Sequence, residues 1–221
     1  QLWVLDIYPL ILAGLLVPMG NLGDRIGRRR IMMIGAVGFA VVSGIAAFSV
    51  SPTMLIVFRA LQAVFGAALM PATLSLIRNI FPDPRERTTA VAIWAATFSA
   101  GAALGPIIGG VLLHFFWWGS VLLMAVPILI PFLIGAPFLL PESKDPNPGP
   151  LDVLSILLAM ATLLPLTYGI KTLPQEPWVG VGAITFALVA GFVFVRRQLG
   201  ADIPFLDVRL LSRKAVSYTH L

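Results

Sequence analysis

The chain alternates between long apolar runs and short polar or charged segments. Seven runs carry almost no charge, and each approaches the length of about 20 residues that an α-helix needs to cross a bilayer. They comprise residues 3–19, 31–50, 54–77, 89–113, 121–140, 153–170 and 178–195. The pattern predicts an all-α integral membrane protein in which seven transmembrane helices are visible.

The composition supports the same class of protein. Of the 221 residues, 58% are hydrophobic and 11% are charged, and the mean hydropathy is +0.95. A soluble domain has much more charge and no need for serial apolar runs of this length. The net charge of +5 suggests nucleic acid as a partner, but the basic residues border the apolar runs, where membrane orientation explains them. We therefore predict a lipid bilayer as the surrounding medium and no nucleic-acid partner.

The basic residues also orient the chain. Lys and Arg in short loops mark the cytoplasmic side of a membrane protein. If the loop at residues 20–31 is cytoplasmic, all 15 Lys and Arg residues except Lys171 and Arg59 fall on that side. Lys171 falls in an outer connection, and Arg59 falls in the outer part of a span. The expected location is a cell membrane, the bacterial inner or plasma membrane, with multiple passes.

Residues 20–31 read GNLGDRIGRRRI and join the first two spans. Glycine permits positive φ and close approach of two helices, and Asp24 can pair with a nearby arginine or cap a helix. A loop that only sets topology needs neither the acid nor three spaced glycines. The stretch resembles the signature loop between the second and third helices of the major facilitator superfamily. The resemblance implies a conformational latch formed by Gly20, Gly23, Asp24, Arg25, Gly27, Arg28 and Arg29.

Arg59 is a charge among apolar neighbours, which costs roughly 2.5 to 3.5 kcal/mol in a membrane helix, and it needs an acidic or carbonyl partner. The alternative is that its side chain snorkels to the outer interface. Gln62 lies three residues on and shares its helical face. The pair resembles the fourth-helix motif of the superfamily, which implies that Arg59 and Gln62 serve proton coupling. Ala63 stands where glycine is common, which predicts looser packing at that point.

Three glycines recur every four residues in the fourth apolar run, with a proline among them. Such a stripe predicts close contact with another helix, and the proline predicts a kink. Generic small-residue packing would explain a bare G-x-x-x-G, but the full string G-x-x-x-G-P-x-x-G-G resembles the fifth-helix motif that is characteristic of antiport exporters in this superfamily. The residues concerned are Gly101, Gly105, Pro106, Gly109 and Gly110. This resemblance is the main reason to predict efflux.

Aromatic and polar residues near these motifs have two interpretations each. Trp94 and Phe98 lie on or near the glycine stripe, and together with Met70 they either line a substrate cavity for flat hydrophobic cations or pack against helices and lipid. Asp6, near the outer mouth of the first run, either attracts cations or caps its helix.

The remaining acidic residues considered fall in loops or at helix ends, where solvated charge is the default. They are Asp83, Glu86, Glu142, Asp145, Asp152, Asp202 and Asp207. The sequence contains no paired carboxylates, metal-ligand spacing, nucleophile elbow or phosphate-binding loop in a suitable context. We therefore predict neither an enzyme nor a cofactor or metal site.

Two further strings extend the resemblance, LLPES at residues 139–143 and LDVRL at residues 206–210. Both resemble the drug:proton antiporters with fourteen spanning helices, of the EmrB/QacA type. That resemblance assigns residues 1–140 to family helices two to six, 141–152 to a cytoplasmic linker, 153–195 to two additional linking helices and 196–215 to a cytoplasmic segment. Residues 216–221 do not continue the pattern and are expected to derive from a sequencing adapter. The chain starts with Gln1, and the family's first helix, with its acid, and its second half are expected to be missing.

The resemblance implies proton-coupled efflux of hydrophobic or cationic drugs, such as quaternary ammonium compounds, by alternating-access antiport in the full-length protein. The partners implied are the drug, protons, the bilayer and the missing parts of the same protein. Two alternatives stay open. One is export of an endogenous metabolite, lipid or peptide, and the other is a non-transporting membrane subunit that has kept the fold.

Overall fold

A computed structural model describes residues 3–144 and 152–200, and this part of the chain is helical with no β-strand. The helices are α1 (Trp3–Ile26), α2 (Arg28–Ala46), α3 (Pro52–Ile80), α4 (Pro84–Phe115), α5 (Ser120–Leu123), α6 (Ala125–Leu139), α7 (Val153–Thr172) and α8 (Pro177–Gly200). They fall into two compact units that divide between residues 146 and 147. Gln1, most of the predicted linker, the LDVRL string and the predicted adapter tail lie outside the described residues.

Seven spans in the described residues are long and apolar enough to cross a membrane, with α5 and α6 together forming one of them. The predicted fold class, an all-α membrane protein with seven visible spans, is therefore confirmed. Many large apolar side chains lie on the outer surface of the helices, as Phe138 and Trp178 do. In a membrane protein such side chains are covered by lipid or by other membrane helices, so their exposure fits this class of protein.

Three prolines lie in the span formed by α5 and α6, and the helix is interrupted near the first of them. Pro127 has no N–H to donate to the carbonyl of Leu123, and its ring crowds that carbonyl. The helix breaks at Met124, between α5 and α6. Pro131 and Pro137 lie inside α6 without interrupting it. The irregularity that the prolines predict is thus concentrated at the outer end of the span.

Helix starts follow short polar signals next to proline. The Ser51 hydroxyl accepts a hydrogen bond from the backbone N–H of Met54 at the start of α3, with Pro52 in the first turn. The carboxylate of Asp83 accepts from the N–H groups of Arg85 and Glu86 at the start of α4. These caps satisfy N–H groups that have no partner within the helix.

In the first unit, α3 packs against both α1 and α2. Small residues permit this contact: Ala36, Ala63 and Ala67 are all 0% exposed. The looser packing predicted at Ala63 is therefore not found. At Gly35 of α2, an added Cβ would lie 2.9 Å from the backbone oxygen of Phe65, so the two helices meet at backbone distance.

Helix α4 packs very differently, and Gly109 is its one buried residue within the described part of the chain. A Cβ added at any glycine of the predicted stripe would meet nothing within 4 Å. The residues concerned are Gly101, Gly105, Gly109 and Gly110. The predicted contact of this stripe with another helix is therefore not made within the described residues, and α4 runs through Pro106 as one continuous helix.

The second unit is a pair of tightly packed helices, α7 and α8. An added Cβ at Gly169 would lie 2.8 Å from the backbone oxygen of Gly180, and one at Gly191 would lie 3.1 Å from the Thr162 side chain. A larger residue at Gly169 would push the two backbones apart, whereas one at Gly191 would require the Thr162 side chain to shift by a few tenths of an ångström.

Candidate functional site

The predicted latch loop is mostly helical. Gly20 and Gly23 lie inside α1, and α2 begins at Arg28, so the prediction of a loop over residues 20–31 is wrong for most of the stretch. The break occurs at Gly27, whose φ of +114° suits glycine and strains other residues. Gly20 and Gly23 serve close packing instead, because an added Cβ would lie 3.3 Å from Pro71 and 3.0 Å from Ile31, respectively.

Asp24 pairs with an arginine and does not cap a helix. Its Oδ1 lies 2.8 Å from Nη2 of Arg28, which also donates from Nε to the same oxygen at 2.9 Å. The residue at the N-terminal cap of α2 is Gly27, and it makes no side-chain cap. Of the two interpretations of Asp24, local pairing is the one observed. The pair bridges the last turn of α1 and the first turn of α2.

The N-terminus of α2 is capped by two residues that follow α6 in the sequence. The carbonyl of Ser143 accepts from the backbone N–H of Arg28 at 2.8 Å, and Oε1 of Glu142 accepts from that of Arg29 at 3.2 Å. A carboxylate near a helix N-terminus is also favoured by the helix dipole. A Cβ at Gly27 would lie 2.5 Å from this carboxylate, so glycine is needed there for space as well as for φ.

Glu142 is not the solvated loop charge that the sequence suggests. Its carboxylate lies 3.7 Å from Nε of both Arg29 and Arg30, and its side chain is 26% exposed. Arg29 also donates to the backbone oxygens of Pro137 and Leu140, at 3.2 and 2.9 Å. The arginines of the motif therefore fasten the C-terminal end of α6 to the start of α2. Glu142 and Ser143 are members of this site that sequence reasoning left out of the latch, although the LLPES string that contains them is a signal for them.

Asp152 in the second unit is also paired, which corrects the same prediction of solvated charge. It accepts from the N–H of Ser155 at the start of α7 and forms an ion pair of 3.0 Å with Arg197 of α8. Hydrogen bonds from Arg197 and Ser155 lower the pKa of its carboxyl to about 2 from its ordinary 3.8. Gln198, which is buried, donates to the Ser155 hydroxyl at 2.6 Å. The cluster links the N-terminal end of α7 to the C-terminal end of α8.

Arg59 is half-buried and has the carbonyl partner that its charge requires. The guanidinium donates from Nε to the backbone oxygen of Val4 at 3.4 Å and from Nη1 to Oε1 of Gln62 at 3.3 Å. Its Cζ lies 4.5 Å from the centre of the Tyr8 ring, within the range of a cation–π interaction. The charge is therefore held by α1 and α3 together.

Gln62 extends this network to α2. Its side chain is 1% exposed, and its Nε2 donates to the Ser43 hydroxyl at 2.7 Å. Sequence reasoning missed both Tyr8 and Ser43. For Ser43 a signal exists, since it is the one polar side chain of α2 after Arg30. For Tyr8 none exists, because an aromatic ring near the end of a span fits an interface position equally well.

The three residues predicted to line a substrate cavity lie around one contact between α3 and α4. The rings of Trp94 and Phe98 contact each other with their centres 5.0 Å apart and their planes inclined by 58°. The indole of Trp94 donates to the Thr73 hydroxyl at 3.3 Å, and that hydroxyl donates to the carbonyl of Met70 at 2.8 Å. Thr73 is thus a further polar group of this contact. The exposed side of Phe98 is available to a flat apolar molecule.

A separate apolar hollow opens at the end of the unit that is predicted to face outward, with a volume of about 610 Å³. The lining residues are Val4, Leu5, Ser49, Val50, Ser51, Pro52, Leu55, Ile56 and Trp118. Val4 also accepts the hydrogen bond from Arg59, so the Arg59 network borders this hollow. Met70, Trp94 and Phe98 do not line it.

The geometry agrees with comparison to known proteins. A family model described as Major Facilitator Superfamily matches residues 2–213. The chain belongs to the major facilitator superfamily. It is a multi-pass membrane protein of the group to which drug efflux pumps belong.

Three relatives from this superfamily show the similarity. The chain is 56% identical over 95% of its length to the multidrug efflux pump LfrA of Mycolicibacterium smegmatis and covers 42% of that protein. It is 38% identical over 97% of its length to the methyl viologen resistance protein SmvA of Salmonella typhimurium, covering 44% of it. It is 34% identical over 94% of its length to the tetracenomycin C resistance and export protein of Streptomyces glaucescens, covering 39% of it. The chain thus spans less than half the length of these relatives.

Proposed function

We propose that this chain forms family helices two to six and the two additional linking helices of a proton-coupled antiporter that exports hydrophobic or cationic drugs, such as quaternary ammonium compounds. The observation that carries the proposal is the Arg59 network. A guanidinium that is half-buried among apolar helices and held by a carbonyl, an amide oxygen and an aromatic face is costly to keep, and such charges mark ion and proton pathways in membrane proteins. In this proposal Arg59 biases a nearby proton site and Gln62 fixes its position.

The second element of the proposal is a latch at the end predicted to face the cytoplasm. Asp24 pairs with Arg28, and Glu142 holds Arg29 and the start of α2. Alternating access requires contacts that form in one state and break in another. Ion pairs that are only partly buried are suited to this, because each is worth little alone and water can replace it. We assign the role of this latch to Gly20, Gly23, Asp24, Arg25, Gly27, Arg28 and Arg29, and we add Glu142 to it.

The substrate class rests on two observations. The tilted pair of Trp94 and Phe98 offers aromatic faces of the kind that bind flat cations. One relative is named for resistance to methyl viologen, a flat aromatic dication with two quaternary nitrogens. The glycine string at Gly101, Gly105, Pro106, Gly109 and Gly110 supports the direction of transport, since it resembles the motif of antiport exporters. We propose no catalytic chemistry and no cofactor for this chain.

A second candidate is export of an endogenous metabolite, lipid or peptide by the same mechanism. A relative that is named as both a resistance and an export protein favours it. The two candidates differ only in the molecule that triggers proton movement, so an extract of the host's own small molecules tested beside a drug panel separates them.

The test is a chimera in which this chain replaces the matching segment of the LfrA pump, expressed in a host without its own drug efflux. We expect drug resistance and drug-triggered proton movement in inverted vesicles. Asp24→Asn and Arg59→Ala should abolish both while the protein still inserts into the membrane. The matched controls are Asp83→Asn and Arg85→Ala, which change an exposed helix cap and an exposed arginine.

Full resistance in either test variant would contradict the role assigned to that residue. A chimera that inserts but moves no protons with any drug or extract would contradict the antiporter proposal. In that case a non-transporting membrane subunit becomes the better hypothesis.

A further inference from the structure

We propose that Ser43 is a positioning residue that fixes the orientation of the Gln62 amide, so that Gln62 presents its oxygen to Arg59. The proposal goes beyond the predicted pair of Arg59 and Gln62, and its functional part rests on the proposed proton-coupled transport. It follows from the donors and acceptors around the Gln62 amide, which is buried together with Ser43.

Arginine can only donate hydrogen bonds, so the atom of Gln62 that faces the guanidinium must be Oε1. Nη1 of Arg59 and Oε1 of Gln62 lie 3.3 Å apart. The other end of the amide is then the NH₂ group, which needs an acceptor because the Gln62 side chain is 1% exposed. The Ser43 hydroxyl, 0% exposed, accepts from it at 2.7 Å. An inverted amide would place donors against Arg59 and lose the fixed geometry.

The consequence is a chain of contacts through three helices. Ser43 belongs to α2, Gln62 and Arg59 belong to α3, and the last acceptor, the carbonyl of Val4, belongs to α1. Without the Ser43 hydroxyl only Arg59 favours this orientation, and the buried NH₂ group of Gln62 has no acceptor to hold it in place. The guanidinium then loses its hydrogen bond to Gln62 for part of the time. Its remaining contacts are the hydrogen bond to the Val4 carbonyl and the cation–π contact with Tyr8, which fixes the orientation of the guanidinium less strictly than a hydrogen bond does.

The first measurement is drug transport by the LfrA chimera in proteoliposomes with an imposed pH gradient. Ser43→Ala should lower the maximal rate about tenfold, the size expected when a buried hydrogen-bonding group loses its partner, and change KM for the drug by less than about twofold. Ser120→Ala is the matched control. The Ser120 side chain is also buried, and its hydroxyl has no hydrogen-bond partner within the described residues.

A second pair of variants separates positioning from packing. In Gln62→Glu the carboxylate presents an oxygen to Arg59 in either orientation, so the Ser43 hydroxyl is no longer needed to choose one. Adding Ser43→Ala to that variant should therefore lower the rate by less than about twofold, although it removes the same atom. A loss through packing would be equally large in both backgrounds.

The proposal is overturned if Ser43→Ala behaves like Ser120→Ala, or if its effect is the same in the parent chimera and in the Gln62→Glu chimera. If the parent chimera transports nothing, or if Gln62→Glu is inactive, the decision comes from thermal unfolding of the 221-residue chain in detergent. There the effects of Ser43→Ala and Gln62→Glu should be non-additive, because the two changes act on one contact. Additive shifts in Tm would overturn the contact itself, whatever the fate of the proposed function.

Discussion

Helices α3 and α4 have similar lengths and apolar compositions, yet they differ in how they are packed. Helix α3 has seven buried residues, and its charge is held by groups from two helices. Helix α4 has one buried residue within the described part of the chain, and its glycine stripe meets nothing there. Each carries a motif that resembles one of the superfamily, but only the motif of α3 has its contacts among the described residues.

The difference teaches what each kind of motif requires. A buried arginine must find hydrogen-bond acceptors wherever the helix packs, because leaving it unpaired in an apolar surrounding is too costly. A glycine stripe carries no such obligation, since exposed glycine in lipid or at a free surface leaves no polar side chain unsatisfied. The polar motif therefore reveals its function through its neighbours, whereas the stripe leaves the identity of its partner open.

The largest expected effect is on thermal stability, and it distinguishes a glycine at the contact of α2 with α3 from a glycine of the α4 stripe. Gly35→Ala should lower the Tm of the chain in detergent, because the added Cβ would lie 2.9 Å from the Phe65 oxygen and 3.1 Å from the Ala68 side chain. Overpacking costs about 1 to 3 kcal/mol, which exceeds the gain of about 1 kcal/mol in helix propensity. Gly101→Ala meets nothing within 4 Å and should keep or raise the Tm.

The same pair of variants also tests the stripe in the chimera. If α4 gains a partner helix there, Gly101→Ala should reduce drug resistance although it leaves the isolated chain stable. Equal Tm values for the two alanine variants would contradict the contrast between α2–α3 and α4.

A smaller effect is expected at the end predicted to face the cytoplasm. Glu142→Gln removes the charge that lies 3.7 Å from both Arg29 and Arg30, while it can still accept from the backbone of Arg29. The free energy of unfolding should fall by about 1 kcal/mol, and the decrease should be smaller in high salt, because the ion pairs are partly exposed. Thermal unfolding at two salt concentrations measures it.

Glu86→Gln is the control for this change, since Glu86 is an exposed acid in the first turn of α4. Glu86→Gln should lower the free energy of unfolding by less than half as much as Glu142→Gln does. If Glu86→Gln and Glu142→Gln prove equivalent, the fastening of α6 to α2 contributes nothing to stability, and Glu142 has no special place in the latch.

The smallest effect concerns the ion pair of Asp152 and Arg197, which lies within the second unit. The pKa of Asp152 is about 2 in the folded chain and 3.8 ordinarily, so its pair with Arg197 stabilises this unit above about pH 4. That stabilisation is lost as the pH falls through about 2, since the protonated acid no longer pairs. Arg197→Gln removes the main cause of the shift and should flatten the dependence of unfolding on pH between these values.

Arg196→Gln provides the comparison, because Arg196 lies over the Phe192 ring at 5.1 Å and does not contribute to the shift. It should leave the acid unfolding profile unchanged. Unfolding of the two variants followed by tryptophan fluorescence in micelles measures the difference. A steep profile retained in Arg197→Gln would mean that another acid controls it.

The sequence by itself determined the elements and the class. Apolar runs close to membrane length, charges that with few exceptions such as Arg59 fall in the connections, and the order of three motifs were enough to predict seven spans and the superfamily, and both are confirmed. These features depend on local composition and on the cost of placing charge in lipid, which act on each segment separately.

The tertiary structure decided which residues meet. It assigned the positive φ to Gly27 within the described residues, brought Glu142 to the start of α2, and gave Arg59 its partners in Val4, Tyr8 and Gln62. The partners on other helices do not follow from spacing, because the relative rotation of those helices is set by small buried residues such as Ala63 and Gly35. A polar side chain in an apolar segment indicates that it needs a partner, and only helix packing selects which one it has.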